Sequence, residues 1–574
     1  MIELLTPFII ASLISPISKR LSYATSALGC LLVLYHLNGF DPVSRYFTLI
    51  AFLICLAVSI YSIVYDRYGK ILSSSFALTL ASVLLVLIAK DCISFLIGWE
   101  GMTLASFLAM SVSGYKRPAY IMLAFGELSA IFLLLGFSIG LATTGTIYFI
   151  HWSGLPILLC LLGFMVKMEI FPFHIWAPPS YSRAPTNMSA ILSGVLTLMG
   201  VYGMVRFLTI YRPPIPFSLF MLILGGITAV VGALHAVTCE GIKELPAYST
   251  IENDGIILTL LGAYAIANNH ILSAFALFSA LFYAFAHSTS KSLLFLSIGD
   301  RNSFSDVRKI SRIGILAGYI SALSLAAIPP LPGFISEWMA LETLFQSFQL
   351  PEVYLKIAVV LVGAIIALAV GVGAISMSKM IVYGFQRQRR RGINLDDLGV
   401  LLLMATVVIL GVIPQSIVRL VDPIVSITGT SAKAFIGGAL AIPKGFLIVS
   451  GKGFGCLSPT FVFVFVTSLT ALIYAVMRKR VRFTDPWTGG VKSEEYDSLA
   501  YSMIIRIVLR WFYRTKEMAC EIIWGDIIEA LYVNMSKICV KVAEVFRRNV
   551  MSGNVGLYVL YILIALFLAL VFVR

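Results

Sequence analysis

Long apolar runs, parted by short polar turns, recur along nearly the whole chain, and at about 20 residues per bilayer crossing they predict a succession of membrane helices. Sixteen are placed near residues 2–17, 21–38, 46–65, 71–89, 92–112, 118–142, 154–176, 187–211, 217–238, 246–268, 270–298, 313–344, 355–385, 398–419, 457–477 and 555–573. Two runs are interrupted by proline: Pro172 in the seventh, and Pro329, Pro330 and Pro332 with Gly333 in the twelfth. Proline removes a backbone donor and breaks a helix, and broken backbone at membrane depth persists where it lines a polar cavity. Helices four to eight and nine to thirteen thus form two five-helix units with one break each. An odd number of spans per unit makes them inverted relative to one another, an arrangement used by secondary transporters.

After residue 477 the pattern changes, and no apolar run of spanning length follows until Val555. In between, Ile523, Ile527, Leu531, Met535, Ile538, Val542 and Val545 recur at spacings of three and four, opposite Glu521, Asp526, Lys537, Lys541, Glu544 and Arg548. That period predicts an amphipathic helix from Glu517 to Val550, roughly 50 Å long at 1.5 Å per residue and lying along the membrane. A helix folded on the chain's own cytoplasmic loops is the plain alternative. The expected organisation is therefore an all-α polytopic membrane protein. It has N-terminal helices over 1–70, repeats over 71–211 and 217–385, further spans over 398–477, a cytoplasmic-side segment over 478–553 and an anchoring helix over 555–574.

Composition agrees: of 574 residues 59% are hydrophobic and 12% charged, too little polar surface for a soluble globule. The opening run, Ile2 to Ser15, lacks a charged leader region or cleavage site and is read as a retained helix. A net charge of +14 would suit a nucleic-acid binder, but the charges sit in loops. Loops after odd-numbered helices carry Lys19/Arg20, Arg67/Lys70, Lys116/Arg117, Arg183, Lys243, Arg301/Arg308/Lys309/Arg312, Arg387/Arg389/Arg390/Arg391 and Arg478/Lys479/Arg480/Arg482, whereas the others carry few. The positive-inside rule then puts the odd loops in the cytoplasm and the N-terminus outside. Eight cysteines, at 30, 55, 92, 160, 239, 456, 520 and 539, show no CxxC spacing, which argues against an iron–sulfur or zinc site within the chain.

Ionisable residues inside spans are costly and mark ion paths when they persist. Lys167 lies just ahead of Pro172, and Glu100, near the middle of the fifth helix, is its natural partner; a snorkelling lysine or a structural ion pair are the plain readings. Glu127 is a weaker candidate. Glu169, two residues from Lys167, points to another face and does not pair with it directly. His235 reads as a hydrogen-bonded core histidine before a relay. His287 and Lys291, four apart, share a helix face, and with Ser288, Thr289 and Ser290 make a polar turn suited to hydrated proton transfer. Glu337 follows the second break, and Lys379 closes the series near the end of the thirteenth helix, where snorkelling is the alternative.

The stretches FLIGWEGMTLASF (95–107), VKMEIFPFHIWAPPSYSRAPTNMSAILSGV (166–195), IKELPAYSTIENDGIIL (242–258), HSTSKSLLFLSIGD (287–300) and PPLPGFISEW (329–338) resemble the antiporter-like subunits of respiratory complex I, multi-subunit Na+/H+ antiporters and energy-converting membrane hydrogenases. AYSTIENDGIIL, PPLPGFISEW and DPWTGG (485–490) look most like the large membrane subunit of formate hydrogenlyase and group 4 [NiFe] hydrogenases. The resemblance implies that Glu100 modulates the broken-helix Lys167, that His287 and Lys291 form a central relay, that Glu337 exchanges protons with one side, and that Lys243 is the basic loop residue ahead of AYST. Some relatives carry lysine where Leu198 stands, others histidine where Tyr283 stands, and Glu169 fills a position often apolar.

It further implies an ion-translocating, most simply proton-translocating, subunit driven by electron transfer in partner subunits that hold the NiFe and iron–sulfur centres, with a lateral helix bracing its neighbours in the plasma membrane. The chain shows no nucleotide loop, metal cluster or catalytic triad, so no active site of its own is expected. Protons would pass Lys167, His287/Lys291 and Glu337 through water. A Na+/H+ antiporter subunit without redox partners is the alternative, and a structural anchor with vestigial channel residues is a third.

Overall fold

A computed structural model describes residues 2–65, 67–385, 388–435, 455, 458–477, 513–518 and 521–549. It divides into two units, Met1–Leu499 and Ala500–Arg574.

The first unit is a helical bundle. Its helices are α1 (Thr6–Ile14), α2 (Lys19–Tyr35), α3 (Pro42–Val64), α4 (Lys70–Ile88), α5 (Cys92–Ser111), α6 (Lys116–Thr144), α7 (Leu155–Lys167), α8 (Ala177–Arg183), α9 (Thr186–Ile191), α10 (Thr197–Ile210), α11 (Ile215–Thr238), α12 (Glu244–Ile266), α13 (His270–Ile298), α14 (Arg312–Leu325), α15 (Pro332–Phe345), α16 (Val353–Lys379), α17 (Asp396–Val412), α18 (Val418–Val425) and α19 (Pro459–Met477). Helix starts follow side-chain capping, which satisfies orphan N–H groups. Asp41 accepts from Ser44 N–H, Asp91 from Ile93 and Ser94 N–H, Asn269 from Ile271 N–H and Ser311 from Gly314 N–H. A π-turn over Leu192–Leu196 joins α9 and α10 into one span, Thr186–Ile210.

Among the described residues eight helices are long and apolar enough to cross a membrane. The span Thr186–Ile210 is wholly buried and α13 nearly so, whereas α6 and α16 turn large apolar faces outward. A soluble protein hides such faces; here they suit hydrocarbon. Two three-residue strands, β1 (Lys309–Ser311) and β2 (Arg389–Arg391), pair in parallel outside the bundle.

The seventh predicted helix is two pieces. Helix α7 stops at Lys167, a 3-10 turn spans Phe173–Trp176, and α8 carries the element on to Arg183, past the expected end at 176. The twelfth divides likewise into α14 and α15. After α7, Met168, Glu169, Ile170 and Phe173 N–H donate to Phe164, Val166, Met165 and Ile170 O; after α14, Ala326, Ala327, Ile328 and Leu331 donate to Ala322, Ser324, Leu323 and Ile328. The bonds match in order and spacing. The fourteenth predicted helix bends by 101° between Asp396–Val412 and Pro414–Thr428, at a proline.

The second unit corrects one expectation. Tyr513–Met518 (β3) and Glu521–Asp526 (β4) form an antiparallel hairpin, and the amphipathic helix, α20, covers Ile527–Asn549 rather than beginning at Glu517. Its length is therefore roughly 35 Å at 1.5 Å per residue. Ile523 and Glu521 belong to the strand; Met535, Ile538, Val542 and Val545 stay exposed on the helix. The DPWTGG run and the anchoring helix 555–573 lie outside the described residues.

Candidate functional site

Lys167, the last residue of α7, is buried, and its ammonium donates to Thr103 Oγ1 on α5 at 3.4 Å and lies 5.8 Å from the Trp99 ring. Glu100, one turn from Thr103, neighbours Glu127 on α6, and both carboxylates lie within electrostatic reach of Lys167. Among the described residues no ion pair joins Glu100 to Lys167. The expected pairing is instead a cation held by a hydroxyl and a ring, with two carboxylates beyond.

Glu169 then connects this cluster to the centre of the bundle. Its φ of 59° is left-handed, so the chain turns out of the α7 path, and the carboxyl is fully buried. Tyr181 on α8 donates its hydroxyl to Oε1, while Oε2 is buried without a partner. Lys167 on α7, Asp254 on α12 and Lys291 on α13 all lie within electrostatic reach of it. Lys291 is fully buried and donates to Pro246 O at 3.1 Å, with Glu252, Asp254 and Glu169 all in electrostatic reach.

One turn back on the same face is His287, whose two ring nitrogens are buried without hydrogen-bond partners. It borders a cavity of about 10 Å³ shared with Asn253, Tyr283, Ser290, Ser336 and Glu337. That is about the room one water needs. Glu337 Oε2 is likewise buried and unpartnered, and Tyr283 donates to Asn253 Oδ1 at 2.8 Å. Close packing fixes this face: a Cβ on Gly194 in the π-turn would stand 1.9 Å from Ser292 Oγ on α13.

Lys243 sits apart, in the loop ahead of α12. It donates to Ala184 O at 3.2 Å and lies 4.0 Å from Asp300, which also accepts from Tyr65 at 2.7 Å, Thr186 at 2.6 Å and Arg67 at 3.1 Å. Burial pushes the Lys243 ammonium down to about 8, against the pull of Asp300. Burial raises Asp300, but Lys243 and the donors Thr186, Tyr65 and Arg67 outweigh it and hold the carboxyl below the usual range. Cavities of about 220 and 210 Å³ meet at Asp300.

Lys379 does not snorkel: it is fully buried and donates to Cys239 O at 2.6 Å. His235 bonds Val231 O of its own helix at 2.8 Å and stacks on Tyr248, outside the central row. Leu198 is buried among apolar neighbours. The structure therefore brings Glu100, Glu127, Lys167, His287, Lys291 and Glu337 into one row and adds Glu169, Glu252 and Asp254. The last two stand in the ENDG stretch, where acidic residues inside a spanning run were the available signal. No three His, Cys, Asp or Glu side chains converge on a metal-sized site among the described residues.

Residues 89–367 match the family model described as NADH:quinone oxidoreductase/Mrp antiporter, TM. Hydrogenase-4 component B of Escherichia coli is 28% identical over 59% of this chain and 56% of its own length, and formate hydrogenlyase subunit 3 of the same organism is 29% identical over 51% of this chain and 51% of its own length. The chain thus spans about half the length of these curated relatives. In fold it is similar to a chain of the membrane-bound sulfane sulfur reductase, an archaeal respiratory membrane complex, with a TM-score of 0.76, 22% identity and 99% of each chain covered. Residues 89–367 thus carry the membrane segment of the NADH:quinone oxidoreductase/Mrp antiporter family, and the chain is similar in sequence to antiporter-like membrane subunits of that family.

Proposed function

We propose that the chain translocates ions, most simply protons, as one subunit of a membrane-bound redox complex. One observation carries this: ionisable side chains are held in the bundle interior as a continuous row from Lys167 through Glu169 to Lys291 and His287, and on across a water-sized cavity to Glu337. Buried charges cost several kcal/mol each and are rarely retained without use. Orphaned polar atoms on His287, Glu169 and Glu337 border this path, ready to bond water.

Each side chain has a part to play. Lys167 receives a proton under the influence of Glu100 and Glu127; Glu169 passes it toward Lys291; His287 and a water hand it to Glu337. A small change in the separation of these groups shifts proton affinities strongly in low dielectric, so a charge change in a neighbouring subunit can drive the row. Lys243 and Asp300, between two cavities, suit the cytoplasmic mouth.

The matching bonds at the two breaks support reading α4 to α10 and α11 to α16 as inverted repeats within a sixteen-span chain, the N-terminus outside the plasma membrane. The names of the hydrogenase relatives favour partners bearing NiFe and iron–sulfur centres, with α20 bracing the neighbours. Those centres would supply the electron transfer; this chain's residues move the proton. A Na+/H+ antiporter subunit without redox partners is the second reading, favoured by the Mrp antiporter in the matching family's description and by relatives named as putative antiporter subunits. Lys167→Ala in the reconstituted complex is expected to lose ion pumping; undiminished pumping removes Lys167 from the path.

A further inference from the structure

At the opposite end of the bundle from Lys243 lies a cavity of about 680 Å³. Helix α3 begins beside it, at Asp41 to Val43; α4, α6 and α10 end beside it, and Lys90, Tyr148 to His151, Arg206, Thr209 and Ile210 line it together with Pro423 and Ile427. All these are termini on one side of the bundle, so the cavity stands at headgroup depth. By the loop pattern this is the side poor in basic residues, which makes its cations stand out.

The lining is mostly hydrocarbon with a few charged groups among it. Pro42, Val43, Phe149, Ile150 and Ile210 supply apolar wall. The carboxylate of Asp41 is already committed, to Arg206 at 2.5 Å and to the Ser44 N–H at 3.3 Å. The side chains of Lys90 and His151 are exposed at the rim and make no hydrogen bond to the described residues. Arg206, its guanidinium 5.9 Å from the Phe149 ring, keeps a buried Nε–H with no acceptor. Asp41 and Arg206 thus offset one another, and Lys90 with the neighbouring histidine leaves the site with an excess of positive charge. A free anion would leave the apolar wall wet, and a neutral lipid would leave the cations unmatched.

We propose that this cavity binds one anionic glycerophospholipid of the same leaflet, its phosphate against Lys90, His151 and the Arg206 Nε–H and an acyl chain along Phe149 and Ile210. Basic residues near an anionic lipid headgroup each weigh about fivefold in binding.

Native mass spectrometry of the full chain in its complex, equilibrated with phosphatidylglycerol, phosphatidylcholine or inorganic phosphate, reads the occupancy. The parent is expected to retain phosphatidylglycerol over phosphatidylcholine, and Lys90→Gln with His151→Gln to lose at least about fivefold of that retention. A second variant, Ile150→Glu, is expected to expel the same lipid by charge while leaving the helices intact. Equal retention of the two lipids, no loss in either variant, or displacement by inorganic phosphate alone would overturn the proposal.

Discussion

At the first break Lys167 closes α7 and Glu169 takes the left-handed position; at the second, Leu325 closes α14 and Ala327 takes that position, with φ of 55°. The four backbone bonds around each turn are the same. Past the break the roles reverse: Glu337 stands in the second turn of α15, while the corresponding stretch of α8, around Pro178 and Pro179, carries no charge. One backbone device thus places charge ahead of the break in one element and behind it in the other. The break opens the helix, and the side chains decide what the opening does.

The largest effect should come from making the left-handed positions alike. Glu169→Gly keeps a backbone that glycine adopts freely but deletes the carboxylate between Lys167 and Lys291, so ion uptake by vesicles holding the complex is expected to fall more than about tenfold. Next is Gly333→Ala in α15, whose Cβ would stand 1.7 Å from Ser324 O, a backbone atom that cannot swing away. It should cost about 1–3 kcal/mol in thermal unfolding, whereas Ile175, two residues past Phe173 as Gly333 is past Leu331, already holds a full side chain. Ala327→Gly should do the opposite and stabilise by up to about 1 kcal/mol with transport retained, since only strain is removed there.

The smallest effect is a titration outside the breaks. Lys243 releases its proton near pH 8 when folded and near 10.5 when unfolded. Between those values the unfolded chain holds the extra proton, so stability should rise with pH across that window. Asp300→Asn removes the opposing carboxylate and should move the amine-labelling midpoint of Lys243 below 8.

Much of this was legible in the sequence, because bilayer thickness fixes span length and apolar runs report it. The span 270–298 coincides with α13, and both breaks fall at their prolines. Glu169 was not legible: spacing from Lys167 assumed a helix that continues, and a left-handed residue cancels that geometry. Glu252 and Asp254 sat in a quoted stretch, but which carboxylates meet Lys291 depends on how α12 packs on α13. The helical period cannot show where α20 starts, because Ile523 in the hairpin stands four residues before Ile527, the first residue of the helix, and so fits the same spacing.

The account rests most heavily on Lys291, the ammonium on which Glu169, Glu252 and Asp254 converge. Ion uptake by sealed vesicles carrying the complex with Lys291→Met, measured alongside electron transfer in the same sample, tests it directly. Uptake at background with electron transfer continuing is the expected result; uptake at the parent's rate would contradict the row as the path.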